Sequence, residues 1–238
     1  TRAMKMVAAA KVKRAQGRVL ATRPYAEKLQ EVFQAVSKKL GIEDLERLPL
    51  LETREIKNVG LLVLTADKGL CGSYNSNMLR FTLKKVEELT QEGKTPKAWL
   101  VGNKAVTFFR HGEFDVLGRF SQLSAVPTFS EARVLTDAVV QGFVEKKVDK
   151  VILLYTHFVS MLQYKTATLE LLPIIPPSHF LPKETAMTAN YIYEPDVQTL
   201  IEYVLPRYIE NQIYHSMLEA AASELAARMT AMDSATKN

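Results

Sequence analysis

The last forty residues set the tightest limit on what this chain folds into. From Val197 to Asn238 the apolar residues Leu200, Ile201, Val204, Leu205, Tyr208, Ile209, Ile213, Met217, Ala220 and Ala221 recur at helical spacing, with Gln212 on the same side. At ~1.5 Å per residue such a helix is roughly 60 Å long. That is more than the breadth of the domain it leaves. Glu194-Pro-Asp196 opens it, with Pro195 where a first turn tolerates the missing donor. Beyond Glu219 the helix is rich in alanine at Ala220–Ala222, Ala226, Ala227 and Ala231, so a neighbour is able to approach closely. A helix of this kind needs something to lie against.

The other end of the chain offers a match. Met4, Ala8, Val12, Ala15 and Val19 form a narrow seam at steps of four and three, and the pattern resumes after Pro24 as Tyr25, Leu29, Val32, Phe33, Val36 and Leu40. This predicts a second long helix with a basic outer face, kinked or broken at Pro24. Both helices outrun the middle of the chain, so the economical arrangement is an antiparallel coiled coil, seam to seam. Its outer surface is left free for partners.

Between them, residues 59–158 alternate strand and helix signals. Val59–Thr65 and Lys150–Thr156 are apolar runs fit for strands buried on both faces. Lys97–Val101 reads as another strand, Phe114–Phe120 as an edge strand, and Leu162–Leu171 as a last one. Helices are expected over Ser76–Glu92, Lys104–His111 and, capped by Ser130, Glu131–Lys147. This alternation predicts a mostly parallel sheet with helices on both faces, a Rossmann-like three-layer α/β domain. Pro173–Pro182 reads as a linker and Tyr191–Tyr193 as a short strand. The division expected is 1–55 for the N-terminal coiled-coil helix, 56–193 for the α/β domain and 194–238 for the C-terminal coiled-coil helix.

Charge sharpens this plan. The chain carries a net +5, yet residues 1–40 hold ten Lys and Arg against Glu27 and Glu31, so that segment is +8 and the remainder −3. A helix this basic calls for an acidic partner. It has the look of a transit peptide as well, but its helical pattern continues past Glu27. Nucleic acid is disfavoured, since no aromatic residue for stacking precedes Tyr25. No apolar run approaches the ~20 residues that span a bilayer, so direct membrane insertion is not expected. One cysteine excludes a disulfide framework. Thr1-Arg-Ala-Met is already in helical register and Ser234–Asn238 has no stop signal, so the sequence reads as the middle of something longer.

Candidate chemistry is sparse. Asp67-Lys-Gly-Leu-Cys-Gly-Ser73, between a strand and a helix, resembles a ligand loop, with glycines that would bring backbone donors to a phosphate. It lacks both the P-loop and the dinucleotide spacings. The plainer reading is a tight strand-to-helix turn; the alternative is a nucleotide-binding α/β enzyme. Cys71 has no histidine near it in sequence to act as base. His111, His157, His179 and His215 are scattered, with no pair at metal-ligand spacing. Met4, Met6, Met217, Met229 and Met232 lie on the two long helices, either filling the seam or giving an adaptable surface to partners. No catalytic residue, metal or cofactor is expected.

Three segments carry a resemblance to a known family. Met4-Lys-Met-Val-Ala-Ala-Ala-Lys11, Asp67-Lys-Gly-Leu-Cys-Gly72 and Ser223-Glu-Leu-Ala-Ala-Arg-Met-Thr-Ala-Met232, with Leu172-Pro173 and Tyr191-Ile-Tyr-Glu-Pro-Asp196, resemble the gamma subunit of rotary F-type ATP synthases. The resemblance spans the chain, with its motifs in family order. It implies a central rotor shaft whose coiled coil stands inside a hexamer of alpha and beta subunits. The α/β domain below is bound to the epsilon subunit and the ring of c subunits. Proton or sodium flow turns the ring, and ATP chemistry belongs to the beta subunits. The resemblance further implies that Met4, Lys5, Lys11, Arg14, Arg228, Met229 and Met232 contact the hexamer, while Asp67, Gly69, Cys71 and Gly72 form a signature loop without an assigned ligand. It places the complex on an energy-transducing membrane, foremost the cytoplasmic face of a bacterial plasma membrane with an organelle inner or thylakoid membrane as the alternative, and implies more chain beyond both ends. The cysteine-bearing insertion of the plant chloroplast members is absent after Leu172-Pro173.

Overall fold

The structure, a computed structural model, describes residues 6–7, 9–15, 17–22, 24, 31, 48–110, 114–175 and 197–237. Its centre is a five-stranded sheet of β1 (Asn58–Leu64), β2 (Thr95–Val101), β3 (Asp115–Phe120), β4 (Lys150–Ser160) and β5 (Gln163–Leu172), ordered β3-β2-β1-β4-β5. β1 runs parallel to β2 and β4, and β2 to β3, while β5 returns antiparallel along β4. The apolar run of β1 is buried on both faces. Val59, Leu61 and Val63 meet α1 (Tyr74–Gln91) and α2 (Asn103–Phe108); Leu62 and Leu64 meet α3 (Phe129–Val144) and α4 (Val197–Lys237). Three layers result, and among the described residues the sheet is mixed only at β5.

Several bounds differ from the sequence reading. β2 begins two residues early because Pro96 sits near the start of a strand, where its missing donor is tolerated. α2 ends at Phe108, and His111 lies outside the described residues. α3 is capped by Thr128, not Ser130: the Thr128 side chain accepts from Glu131 N at 3.3 Å while Glu131 Oε2 accepts from Thr128 N at 2.7 Å. Threonine followed three residues later by glutamate closes this reciprocal box, and Ser130 has no such partner.

α4 holds 41 residues and continues past Pro206. The sequence reading had it leave the sheet domain; over most of its length it forms part of that domain's outer layer. Leu205, Ile209, Ile213, Met217 and Leu218 share one core with Leu153, Leu172 and the α3 residues Leu135 and Phe143. Ser216, Ala222, Ser223, Ala226 and Ala227 are buried as well, so small residues let neighbours close on α4 from more than one side. In the N-terminal helical segment, residues 9–15 and 17–22, Val12 and Ala15 are buried and Val19 packs on the main core. Seam positions Met4 and Ala8, the second half of the seam and residues 191–196 lie outside the described residues. So do the neighbours of Pro24 on which a kink would depend.

One arginine closes the amino edge of the sheet. Arg54 donates to Asp149 Oδ1 at 3.0 Å and to the carbonyls of Phe143 and Val148 at 2.7 Å each, with its guanidinium 4.4 Å from the Phe143 ring centre. Burial is the largest influence on Asp149 and pushes its carboxyl up, but donors from Asn58, Lys57 and Arg54 outweigh it and hold it below the usual range. Arg54→Ala should therefore cost about 2–4 kcal/mol, because a mostly buried carboxylate loses its counter-charge and keeps only the Lys57 and Asn58 amides, and the Val148 carbonyl loses a donor. The Asp149 contribution is present above about pH 4 and is lost as pH falls through its lowered folded value. Thermal midpoints measured against pH should separate wild type from variant most at neutral pH, and the gap should narrow in acid to what the carbonyl and ring contacts of Arg54 contribute.

Candidate functional site

The segment Asp67–Ser73 leaves β1 at the carboxyl edge of the parallel strands, where open α/β sheets hold ligands. Its first residue ties neighbouring loops together. Asp67 Oδ1 accepts from Asn103 N at 2.8 Å and Oδ2 from Leu123 N at 3.0 Å, so one carboxylate fixes the loops that follow β2 and β3. Asn75 then braces the turn from inside: its Oδ1 accepts from Ala66 N at 3.0 Å and its Nδ2 donates to Cys71 Sγ at 3.1 Å. Cys71 is 2% exposed. Burial, then the nearby Glu224 carboxylate, pushes its thiol up. A thiol so placed is poorly suited to act as a nucleophile.

Helix α4 occupies the space over this loop. Arg228 Nη2 donates to the Gly69 carbonyl at 3.1 Å and pairs with Glu224 Oε1 at 2.6 Å. Cys71, Tyr74 and Ala66 pack with Ala227 in a small apolar cluster that Tyr164 of β5 closes. Gly72 has φ +54°, and a Cβ there would stand 3.9 Å from Ala231 Cβ and 4.0 Å from the Ala227 carbonyl oxygen. Glycine serves the turn through its left-handed backbone, and α4 passes it at van der Waals distance. The loop is a socket for a helix.

Two residue sets that the sequence reading kept apart thus meet: Asp67, Gly69, Cys71 and Gly72 on one side, Arg228 on the other. Met229 and Met232, partly buried, follow on α4. Lys11 is half-buried and lines, with Leu64, Leu123, Met217, Glu224 and Arg228, a cavity of about 410 Å³ between the N-terminal segment, the sheet edge and α4. Arg14 is exposed, and Met4 and Lys5 lie outside the described residues. Sequence reasoning missed Glu224, although its spacing of four from Arg228 on a helix is a legible ion-pair signal. It missed Asn75 too, for which no local pattern exists. Burial, the largest influence on Glu224, pushes its carboxyl up despite Arg228. Among the described residues no cluster of three or more His, Cys, Asp or Glu is arranged to hold a metal ion.

Comparison with known proteins agrees with this geometry. A family model described as ATP synthase matches residues 1–238. The ATP synthase gamma chain of Moorella thermoacetica is 43% identical over 238 residues, covering all of this chain and 80% of its own length. That of Synechococcus sp. (strain JA-3-3Ab) is 40% identical over 261 residues, covering all of this chain and 83% of its own. The longer match means that the cyanobacterial protein holds residues inside the aligned span that this chain lacks. In a solved structure of the central stalk and c-ring of Tetrahymena thermophila mitochondrial ATP synthase, one chain superposes with a TM-score of 0.68 at 28% identity, over 99% of this chain and 98% of that one. A rotor chain of Euglena gracilis mitochondrial ATP synthase, at 14% identity and a TM-score of 0.53, shares the fold over 100% of this chain and 92% of its own. The chain belongs to the ATP synthase gamma chain family.

Proposed function

We propose that this chain turns as the shaft of the central stalk of a rotary ATP synthase, carrying rotation from a c-ring to the catalytic sites of a surrounding alpha and beta hexamer. The observation that carries this is the seating of α4. Its inner turns are locked into the sheet domain through the Asp67–Gly72 socket, and its last turns, Ser234–Thr236, emerge exposed. A helix held at one end by a rigid domain transmits torque at the other.

The N-terminal segment is the second strand of the shaft. Thr22 reaches His215 of α4, while Lys11 and Arg228 line one cavity, so residue numbers fall along one helix as they rise along the other. Antiparallel helices pair in that sense. Extended through the seam of Met4, Ala8, Val12, Ala15 and Val19, this pairing is an antiparallel coiled coil. It divides the chain into shaft helices at 1–55 and 194–238 and a sheet domain at 56–193, with α4 shared between shaft and core. The basic outer face, where Lys13, Arg14 and Arg18 are exposed, suits acidic surfaces of the hexamer. Met4, Lys5, Lys11, Arg14, Arg228, Met229 and Met232 are the contact residues of this reading. The epsilon subunit and c-ring attach to the sheet domain, and proton flow drives the ring. The complex sits on an energy-transducing membrane, at the cytoplasmic face in a bacterium, and this chain is peripheral to it. None of the described helices is long and apolar enough to cross a bilayer.

Reconstitution tests the proposal. Alpha and beta subunits of a close relative, mixed with this chain, should hydrolyse ATP in a manner that depends on the chain, which alone should hydrolyse none. Turnover by the isolated chain, or failure to enter the complex, would sink it. Arg14→Glu should weaken assembly and reduce its dependence on salt.

A further inference from the structure

On the sheet face that carries α1, a cleft of about 420 Å³ opens between that helix and β5. Ile152 and Leu154 of β4 pack in the α1 core, so strand alternation turns Thr156 to the same face. Thr166 and Tyr164 of β5 stand opposite Thr156 and Phe158 in the ladder and share that face. From the helix, Asn77, Arg80, Phe81 and Lys84 line the cleft, spaced at steps of three and one that keep them on one stripe.

Its polar groups are unevenly answered. Thr156 is 2% exposed, borders the cleft, and its Oγ1 has no hydrogen-bond partner. The Tyr74 phenol faces it from outside hydrogen-bond geometry. A buried hydroxyl is normally partnered, so an orphan beside a cleft needs an explanation. At the rim, Arg80 donates to the neutral Asn77 side chain at 2.7 Å, and Lys84 meets Glu88 only at 3.9 Å with 74% of its own side chain exposed. Among the described lining residues there is no Asp or Glu. Lys165 borders the cleft too, but alternation sends its side chain with His157 to the α4 face.

We propose that this cleft binds an organic phosphate, with the phosphate on Arg80 and Lys84 and a neutral polar body bonded to Thr156 Oγ1. Two cations one helical turn apart, with no carboxylate between them, match a dianion better than the single charge of a carboxylate. The planar fork of Arg80 suits phosphate oxygens, and Lys84 adds a point charge. The volume lies within the range of small-molecule sites and exceeds what one oxyanion fills, so a body is needed to span from rim to Thr156. Phe81 and Tyr164 supply its apolar walls, and the Tyr164 ring meets that of Tyr74 with 6.4 Å between centres. The site belongs to the sheet domain and does not depend on what the shaft turns.

Calorimetric titration of the whole chain with ribose 5-phosphate, adenosine 5′-monophosphate and inorganic phosphate tests this. At least one ester should bind saturably at a single site with Kd below about 1 mM. Inorganic phosphate should bind about tenfold more weakly, for want of a body that reaches Thr156. Arg80→Gln and Lys84→Gln should each weaken the ester about tenfold and reduce its dependence on salt, the loss of one charge-assisted hydrogen bond. Thr156→Val keeps the shape of the side chain. It should weaken the ester about fivefold yet leave the melting temperature of the free chain equal or higher, because no hydrogen bond of the fold is lost. Lys94→Gln, beyond the far end of α1, serves as the control. The proposal is overturned by no saturable ester binding, by inorganic phosphate binding as tightly as the esters, or by an equal loss in Lys94→Gln. Full affinity or a lowered melting temperature in Thr156→Val overturns it as well, since the hydroxyl would then be idle or already engaged within the fold.

Discussion

Trp99→Ala should cost about 3–5 kcal/mol, enough to leave much of the chain unfolded at modest temperature. The indole is 2% exposed on β2, and three glycines surround it. A Cβ at Gly60 of β1 would lie 2.4 Å from Cζ3, one at Gly142 of α3 2.6 Å from Cζ2, and one at Gly118 of β3 2.9 Å from Cδ1. β1, β3 and α3 therefore approach the ring at backbone distance. With the ring gone the three glycines have no side chains of their own to fill the hole, and only neighbours such as Phe120 and Val148 border it, so much of the cavity term remains. The converse change is informative: Gly142→Ala should cost about 1–3 kcal/mol by overpacking, and should be partly rescued by Trp99→Phe. Denaturant unfolding followed by circular dichroism measures all four members of the cycle. Independent, additive costs would show that ring and glycines do not share one packing site.

That nest illustrates what the sequence makes legible and what it hides. β1 and β4 are readable because a strand buried on both faces must be apolar at every position, and few other segments satisfy that. The glycines around Trp99 are not readable, because their purpose lies across a strand, a sheet edge and a helix. Thr128 and Ser130 are equivalent as local caps, and only the partner at Glu131 separates them. α4 was read as a one-sided amphipathic helix because alanine and serine count for little in an apolar pattern. The fold uses Ser216, Ala222, Ser223 and Ala226 to bury its other sides. Its buried carboxylates were hidden for the same reason. Glu210 is answered by Arg133 at 3.2 Å and Glu219 by His157, residues more than sixty positions away in the chain. The signature loop was visible as a motif, but its meaning required α4. Asp67 acts on Asn103 and Leu123, 36 and 56 residues downstream, and Gly69 on Arg228, 159 residues on.

Arg228→Ala should open that socket and expose Cys71, raising the rate at which a thiol reagent modifies the native chain by about 30-fold. Arg228 has only 18% of its side chain exposed and Glu224 only 21%. Truncation leaves the Glu224 carboxylate without its counter-charge and the Gly69 carbonyl without its donor. A loss of about 2 kcal/mol in α4 docking is expected, smaller than for a fully buried pair because both groups keep some water. The chain has one cysteine, so the modification rate reports the exposure of Cys71 alone. The electrostatic side effect runs in the opposite direction. Arg228 lowers the Cys71 thiol towards ionisation, so removing it makes the thiol intrinsically less reactive, and any acceleration has to come from opening. Glu224→Gln provides the complementary control. It removes a charge that holds the thiol up, so its rate-against-pH curve should move to lower pH. Arg228→Lys keeps the charge but loses the planar fork, and should fall between wild type and alanine. If Arg228→Ala lowers the melting temperature while Cys71 stays as slow as in wild type, α4 does not hold the loop. The path proposed for torque between shaft and sheet domain would then have to run through the Ile209–Met217 packing instead.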